Sequence, residues 1–280
     1  MATKITIAHS PDSDDAFMFY GFASGAVDTE GLEIAQVLAD IETLNRAAVT
    51  GTYEVTAASF HAFAHLSDKY ALLPHGASMG DNYGPMVVVR QDGPTSLDGV
   101  TVAIPGLWTS AWLALQLYQS GLKYVVMPFD EILEAVRDGK VEAGLLIHEG
   151  QLTYGDSGLH LWTDLGAWWM EDTGLPLPLG GNAVRRDLGE TVIRQIARDL
   201  RASIVYALEH RAPALAHASR YNRGIGDERT DTFVGMYVNQ WTVDYGLRGR
   251  QAVQKLLDRG HEAGVIPERV QVDFVDSTGD

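Results

Sequence analysis

VTVAIPGLWTSAWLALQLYQSGLKYVVMPF, residues 100–129, sets the fold class. VTVAI is apolar and β-branched and ends at Pro105–Gly106, as a buried strand does. LWTSAWLALQLYQSG runs on as a helix that stops at Gly121. KYVVMPF is a second short strand. Strand, helix, strand in so short a span is a crossover unit, which lays its two strands parallel.

The alternation extends both ways. Upstream, KITIAH (4–9) reads as a buried strand and DDAFMFYGFASG (14–25) as a helix, with Asp14 and Asp15 at its positive end. LEIAQVL is a strand, and DIETLNRAAVTG a helix with Asp40 as cap and Gly51 as stop. YEVTAAS, YALLPHGAS and PMVVVR complete the first set, with a short helix in SFHAFAHLSD. The turn-rich QDGPTSLDG separates this set from residues 100–129. Downstream come the helix FDEILEAVRDG, the strand VEAGLLIHE, and the strands LHLWTDLG and LGGNAVRR.

After residue 187 the pattern turns helical. Val192, Ile193, Ile196, Leu200, Ile204 and Leu208 fall at helical spacing, and further helices are expected at 211–221, 227–239 and 247–263. The expected fold is two-domain α/β, with mixed, mostly parallel sheets, flanking helices and a cleft between domains. The C-terminal helices pack back on the first sheet, so residues 1–92 with 187–280 form one domain and 93–186 the other. Two crossings, near 90–95 and 180–186, make a hinge with the ligand between.

Composition narrows the partners. The 280 residues carry 21 basic and 37 acidic side chains, a net charge of −16. Such a surface repels phosphate backbones and anionic lipid, so neither nucleic acid nor membrane is an expected partner. There is no cysteine, which removes thiolate chemistry. No run reaches the ~18 apolar residues of a membrane span, and MATKITIAHS has no signal-peptide apolar region. A cytoplasmic protein is expected. No G-x-G-x-x-G or Walker loop supports a nucleotide cofactor.

Four segments carry candidate chemistry. In AIPGLWTSAWLAL (103–115) a strand ends and a helix begins near Thr109. Its free N–H groups, with the hydroxyls of Thr109 and Ser110, suit a carboxylate or phosphate; the alternative is that Thr109 caps the helix. In GLLIHEG (144–150), His148 stands at the carboxyl end of an apolar strand, where α/β sheets place ligands. It is a candidate general base, or else a structural histidine beside Glu149.

HSPDSDDAF (9–17) offers three carboxylates, but the spacing fits no calcium loop. A helix start with dipole-compensating acids is the stronger reading, with Ser10 and His9 lining the cleft. HAFAH (61–65) has two histidines on one helix face but no Glu after the first and no third ligand, so no metal is expected. Ser59, just before that helix, reads as a hydrogen-bond donor to ligand. Trp168 and Trp169 diverge by ~100° on a helix: one walls a flat ligand, or one enters a core and the other a domain interface.

In order along the chain, SPDSDDAFMFY, ADIETLNRAAVTG, AASFHAFAH, YGPMVVVR, AIPGLWTSAWLALQLY, AGLLIHEGQLTYGDSGL and LGAWWMEDTGLPLPLGG resemble the 1,4-dihydroxy-6-naphthoate synthase family of the futalosine route to menaquinone. The resemblance implies a type II periplasmic-binding-protein fold used as a cytoplasmic lyase. It implies cyclic dehypoxanthinyl futalosine as substrate, a small-molecule carboxylate, and no metal or organic cofactor. It places His148 as base, Thr109 and Ser110 at the substrate carboxylate, and Ser59 and Asn45 among the cleft's polar groups. This chain has SPDSDD where the family has an SPCPND-type loop, HEGQLTY where it has an HES-R-type stretch, and Trp108 where a polar residue such as His is usual. Two other readings share the fold: a non-catalytic solute-binding protein, and chorismate dehydratase.

Overall fold

The computed structural model describes residues 3–275. In chain order the elements are β1 (Thr3–His9), α1 (Ser13–Met18), α2 (Tyr20–Ala23), β2 (Leu32–Leu38), α3 (Ile41–Val49), β3 (Val55–Ser59), α4 (Phe60–Phe63), β4 (Tyr70–Leu72), β5 (Ser78–Gly80) and β6 (Met86–Arg90). They continue with β7 (Thr101–Ile104), α5 (Ser110–Tyr118), β8 (Lys123–Val126), α6 (Phe129–Arg137), β9 (Ala143–Leu146), α7 (Gly150–Thr153), β10 (Leu159–Asp164), α8 (Leu165–Thr173) and β11 (Leu177–Arg185). The last five are α9 (Glu190–Glu209), α10 (Arg211–Ala218), α11 (Asp227–Tyr237), α12 (Gln240–Val243) and α13 (Gly246–Glu262).

The quoted stretch forms the crossover it implies: β7 and β8 pair in parallel, Val102 opposite Tyr124, with α5 between them. Two sheets result. The first has the order β2-β1-β3-β11-β4 with β5 also on β11; the second runs β10-β6-β9-β7-β8. Each has a parallel centre, β2-β1-β3 and β9-β7-β8. Antiparallel strands join where the chain changes sheet, β11 on β3 and β6 on β9.

Burial follows the alternation of side chains along a strand. Ile5 and Ile7 of β1 meet Ile196, Leu200 and Ile204 of α9, while Ala8 meets Leu44 of α3. Both faces of the strand are covered, which explains its continuous apolar run. α9 thus docks on the first sheet by the face its spacing implies. Truncating Leu200 there would cost about 2–5 kcal/mol. In the second sheet Val88 and Ala103 face Ile132 and Val136 of α6.

The strand memberships differ from the expected crossings. β6 lies in the second sheet and β11 in the first, so the chain changes sheet between β5 and β6 and again between β10 and β11. PMVVVR and PLPLGGNAVR read alike as apolar strands; hydrogen-bond register decides their sheet, and periodicity carries no register. No described helix is long and apolar enough to cross a membrane.

Candidate active site

The carboxyl ends of β1, β3 and β9 and the start of α5 face one cleft between the sheets, closed on its far side by β11 and α11. Its volume is about 760 Å³ including the open mouth.

One wall is built on α5. Thr109 is its N-cap: its Oγ1 accepts from Trp112 N at 3.2 Å and donates to Gly106 O at 3.0 Å. The hydroxyl is therefore committed to the helix, and Thr109 reaches the cleft without a free donor. Ser110 Oγ accepts from His61 N at 3.3 Å and keeps its proton to donate. Ser59, ending β3, lines the same wall. Asn45 does not line it. Fully buried on α3, its Nδ2 donates to Ser59 Oγ at 3.1 Å and its Oδ1 accepts from Ser59 N at 3.0 Å. Asn45 holds Ser59 from behind.

His148 stands opposite, after β9, with φ of 58°. A non-glycine residue in that left-handed region is strained and held by its surroundings. Its Nδ1 lies 3.0 Å from Asp12 Oδ2, on the β1–α1 loop of the other sheet. A carboxylate only accepts, so Nδ1 carries a proton. Nε2 is buried with no partner among the described residues. Burial opposes protonation of the ring, but Asp12, with Glu149 and Asp14, outweighs it and holds the ring above its ordinary value.

The three acids of SPDSDD all line the cleft. Burial works against the charge of Asp12, yet His148, Arg223 and Ser10 hold it well below the usual carboxylate range. Burial and the charges of Asp15 and Asp12 push Asp14 well above that range. Burial and Asp12 push Asp15 up to about 7. Asp12 is the N-cap of α1 but its side chain makes no cap bond. Helix compensation is thus a partial description of this loop. Ser10 lines the cleft and also organises the loop: its N donates to Asp15 Oδ2 at 2.7 Å and its Oγ to Asp12.

A model of the family described as menaquinone biosynthesis matches residues 5–262. The chain belongs to the menaquinone biosynthesis family.

Two relatives of this family member are named 1,4-dihydroxy-6-naphthoate synthase. The one from Thermus thermophilus is 41% identical over 93% of this chain and 95% of its own length. The one from Streptomyces coelicolor is 37% identical over 95% and 96%. A solved protein of Archaeoglobus fulgidus superposes with a TM-score of 0.91 at 50% identity, covering 94% of this chain and 98% of that one. An alkanesulfonate-binding protein from Xanthomonas axonopodis superposes at 0.71 with 14% identity, covering 96% of each, a likeness of fold alone. The periplasmic-binding-protein architecture is therefore present on an enzyme family's sequence.

Several residues in or next to the cleft of this menaquinone-family chain carry no sequence signal. Arg223, in the loop before α11, bonds Asp12 Oδ1 at 2.5 Å and Glu149 Oε2 at 2.7 Å. Tyr237 donates to Gln151 Oε1 at 2.6 Å across the cleft. Asn182 of β11 presents a buried Oδ1 with no partner among the described residues. The two tryptophans stay out of the cleft. Trp169 is core, its Nε1 donating to Pro176 O at 3.2 Å, and Trp168 packs on Tyr118. The HAFAH rings are engaged locally, His61 with Thr109 O at 3.3 Å and His65 stacked on Trp108.

Proposed function

We propose that this chain is a cytoplasmic carbon–carbon lyase that converts cyclic dehypoxanthinyl futalosine to 1,4-dihydroxy-6-naphthoate. The observation that carries this reading is His148 Nε2, a buried ring nitrogen without a partner among the described residues, on a side chain that lines the same cleft as Ser59 and Ser110. With Nδ1 protonated toward Asp12, the neutral ring keeps its lone pair on Nε2, as a general base requires.

Ser110 Oγ, the first N–H groups of α5 and Ser59 Oγ hold the substrate carboxylate. The net charge of −16 gives no attraction to an anion, so local donors and the helix dipole must supply it. Thr109 and Asn45 act behind these donors, one as cap and the other as clasp, and Ser10 fixes the acidic loop. The product is aromatic, which favours bond cleavage. The protein then has to remove a proton, orient the carboxylate and exclude water. The two lobes, hinged at the connections between β5 and β6 and between β10 and β11, do the last by closing. No step in this reading calls for a metal or organic cofactor.

The test is incubation of the purified protein with cyclic dehypoxanthinyl futalosine, without added metal or cofactor, and detection of product by chromatography and mass. Formation of 1,4-dihydroxy-6-naphthoate is expected, with chorismate left unchanged. Turnover of chorismate alone, or binding without product, would overturn it.

A further inference from the structure

We infer that Asp12 is the positioning residue for His148, reaching it across the cleft and clamped for that task by Arg223. The inference rests on His148 being the base. Asp12 comes from the β1–α1 loop and His148 from the end of β9, so the two sheets contribute one member each. Three contacts leave Asp12 little freedom. Oδ2 receives His148 Nδ1 at 3.0 Å and also Ser10 Oγ, while Oδ1 is taken by Arg223 at 2.5 Å. The same guanidinium bonds Glu149, next to His148, and lies 4.6 Å over the Phe129 ring. Phe129 in turn sets its ring against His148 at 4.4 Å. Ser13, beside Asp12, donates to Glu149 Oε1 at 3.0 Å. Both partners of the pair are thereby fixed by one cation and one aromatic ring.

The chemistry follows from that geometry. Nε2 takes the substrate proton, forming a new N–H bond while the substrate keeps the electron pair. The ring becomes an imidazolium, and Asp12 stabilises it without accepting the proton. Release of that proton to the departing fragment restores the neutral ring. The charges facing His148 are Asp12 on the β1–α1 loop, Asp14 and Asp15 in the first turn of α1, Glu149 on its own segment, and Arg223, which neutralises part of this set.

The experiment compares wild type with Asp12→Asn and Asp12→Glu. In Asp12→Asn, kcat is expected to fall about 10²-fold or more with KM little changed. The rising limb of its pH–rate profile should move to lower pH by about one unit or more, because the charge that favours the imidazolium is gone. Asp12→Glu should restore the limb and part of the rate. A limb that stays in place in a folded Asp12→Asn protein overturns the assignment.

A second readout needs neither turnover nor a variant at Asp12. Nitrogen-15 correlation spectra of the wild-type imidazoles, with His148 assigned by its loss in His148→Ala, should show the Nδ1–H tautomer titrating above an ordinary histidine. An Nε2–H tautomer, or a depressed titration, overturns the pairing. Absence of turnover with the expected spectrum would instead overturn the reaction reading and leave the Asp12–His148 pair standing.

Discussion

Asn45 and Ser59 hold each other through two hydrogen bonds, Nδ2 to Oγ at 3.1 Å and backbone N to Oδ1 at 3.0 Å. One comes from α3 and the other from the last position of β3, and both are buried. Asn45→Ala leaves a buried N–H and a hydroxyl without this partner. It should cost about 1–3 kcal/mol of stability and let Ser59 turn away from substrate. Denaturant melts should show the loss, and KM should rise more than kcat falls.

The two hydroxyls at the start of α5 should separate cleanly. Thr109 is fully used as a cap, so Thr109→Ala should lower stability by about 1 kcal/mol with a modest effect on KM. Ser110 keeps a proton to donate, so Ser110→Ala should weaken carboxylate binding about tenfold or more with near-normal stability. Melts and product affinity on the two variants check this; exchanged effects would contradict it.

Asp15 gives a pH-dependent stability. It titrates near 7 when folded, because burial and then Asp12 penalise its charge, against an ordinary 3.8. The folded state therefore binds the extra proton between those values. Its contribution is complete below about pH 3.8 and is lost as pH rises through about 7. Asp15→Asn, which has no charge to bury, should be more stable than wild type at pH 8, on the order of 1 kcal/mol or more. The difference should close toward pH 4. Equal stability at pH 8 would contradict the raised titration.

The sequence carried the parts of this molecule that depend on local pattern. The apolar run of β1, the crossover at 100–129, the cap at Asp40 and the face of α9 are all written in residue spacing, and each formed. His148 was legible because a polar residue ends an apolar strand. Arg223 was not, since a lone arginine in the loop NRGIG gives no pattern and its partners lie at Asp12 and Glu149. Asp12 was half legible. Its place before a helix is local, but its bond to His148 comes from long-range folding. The tryptophan pair left two placements open, one ring walling a ligand or one in the core and one at an interface; Trp169 is core and Trp168 packs on Tyr118, so neither lines the cleft.

Proton removal by His148 is tested by turnover of cyclic dehypoxanthinyl futalosine by wild type and His148→Ala side by side at saturating substrate. Wild type should form product, and the variant should do so about 10²–10⁴-fold more slowly with nearly unchanged product affinity. Equal rates from the two proteins would contradict it.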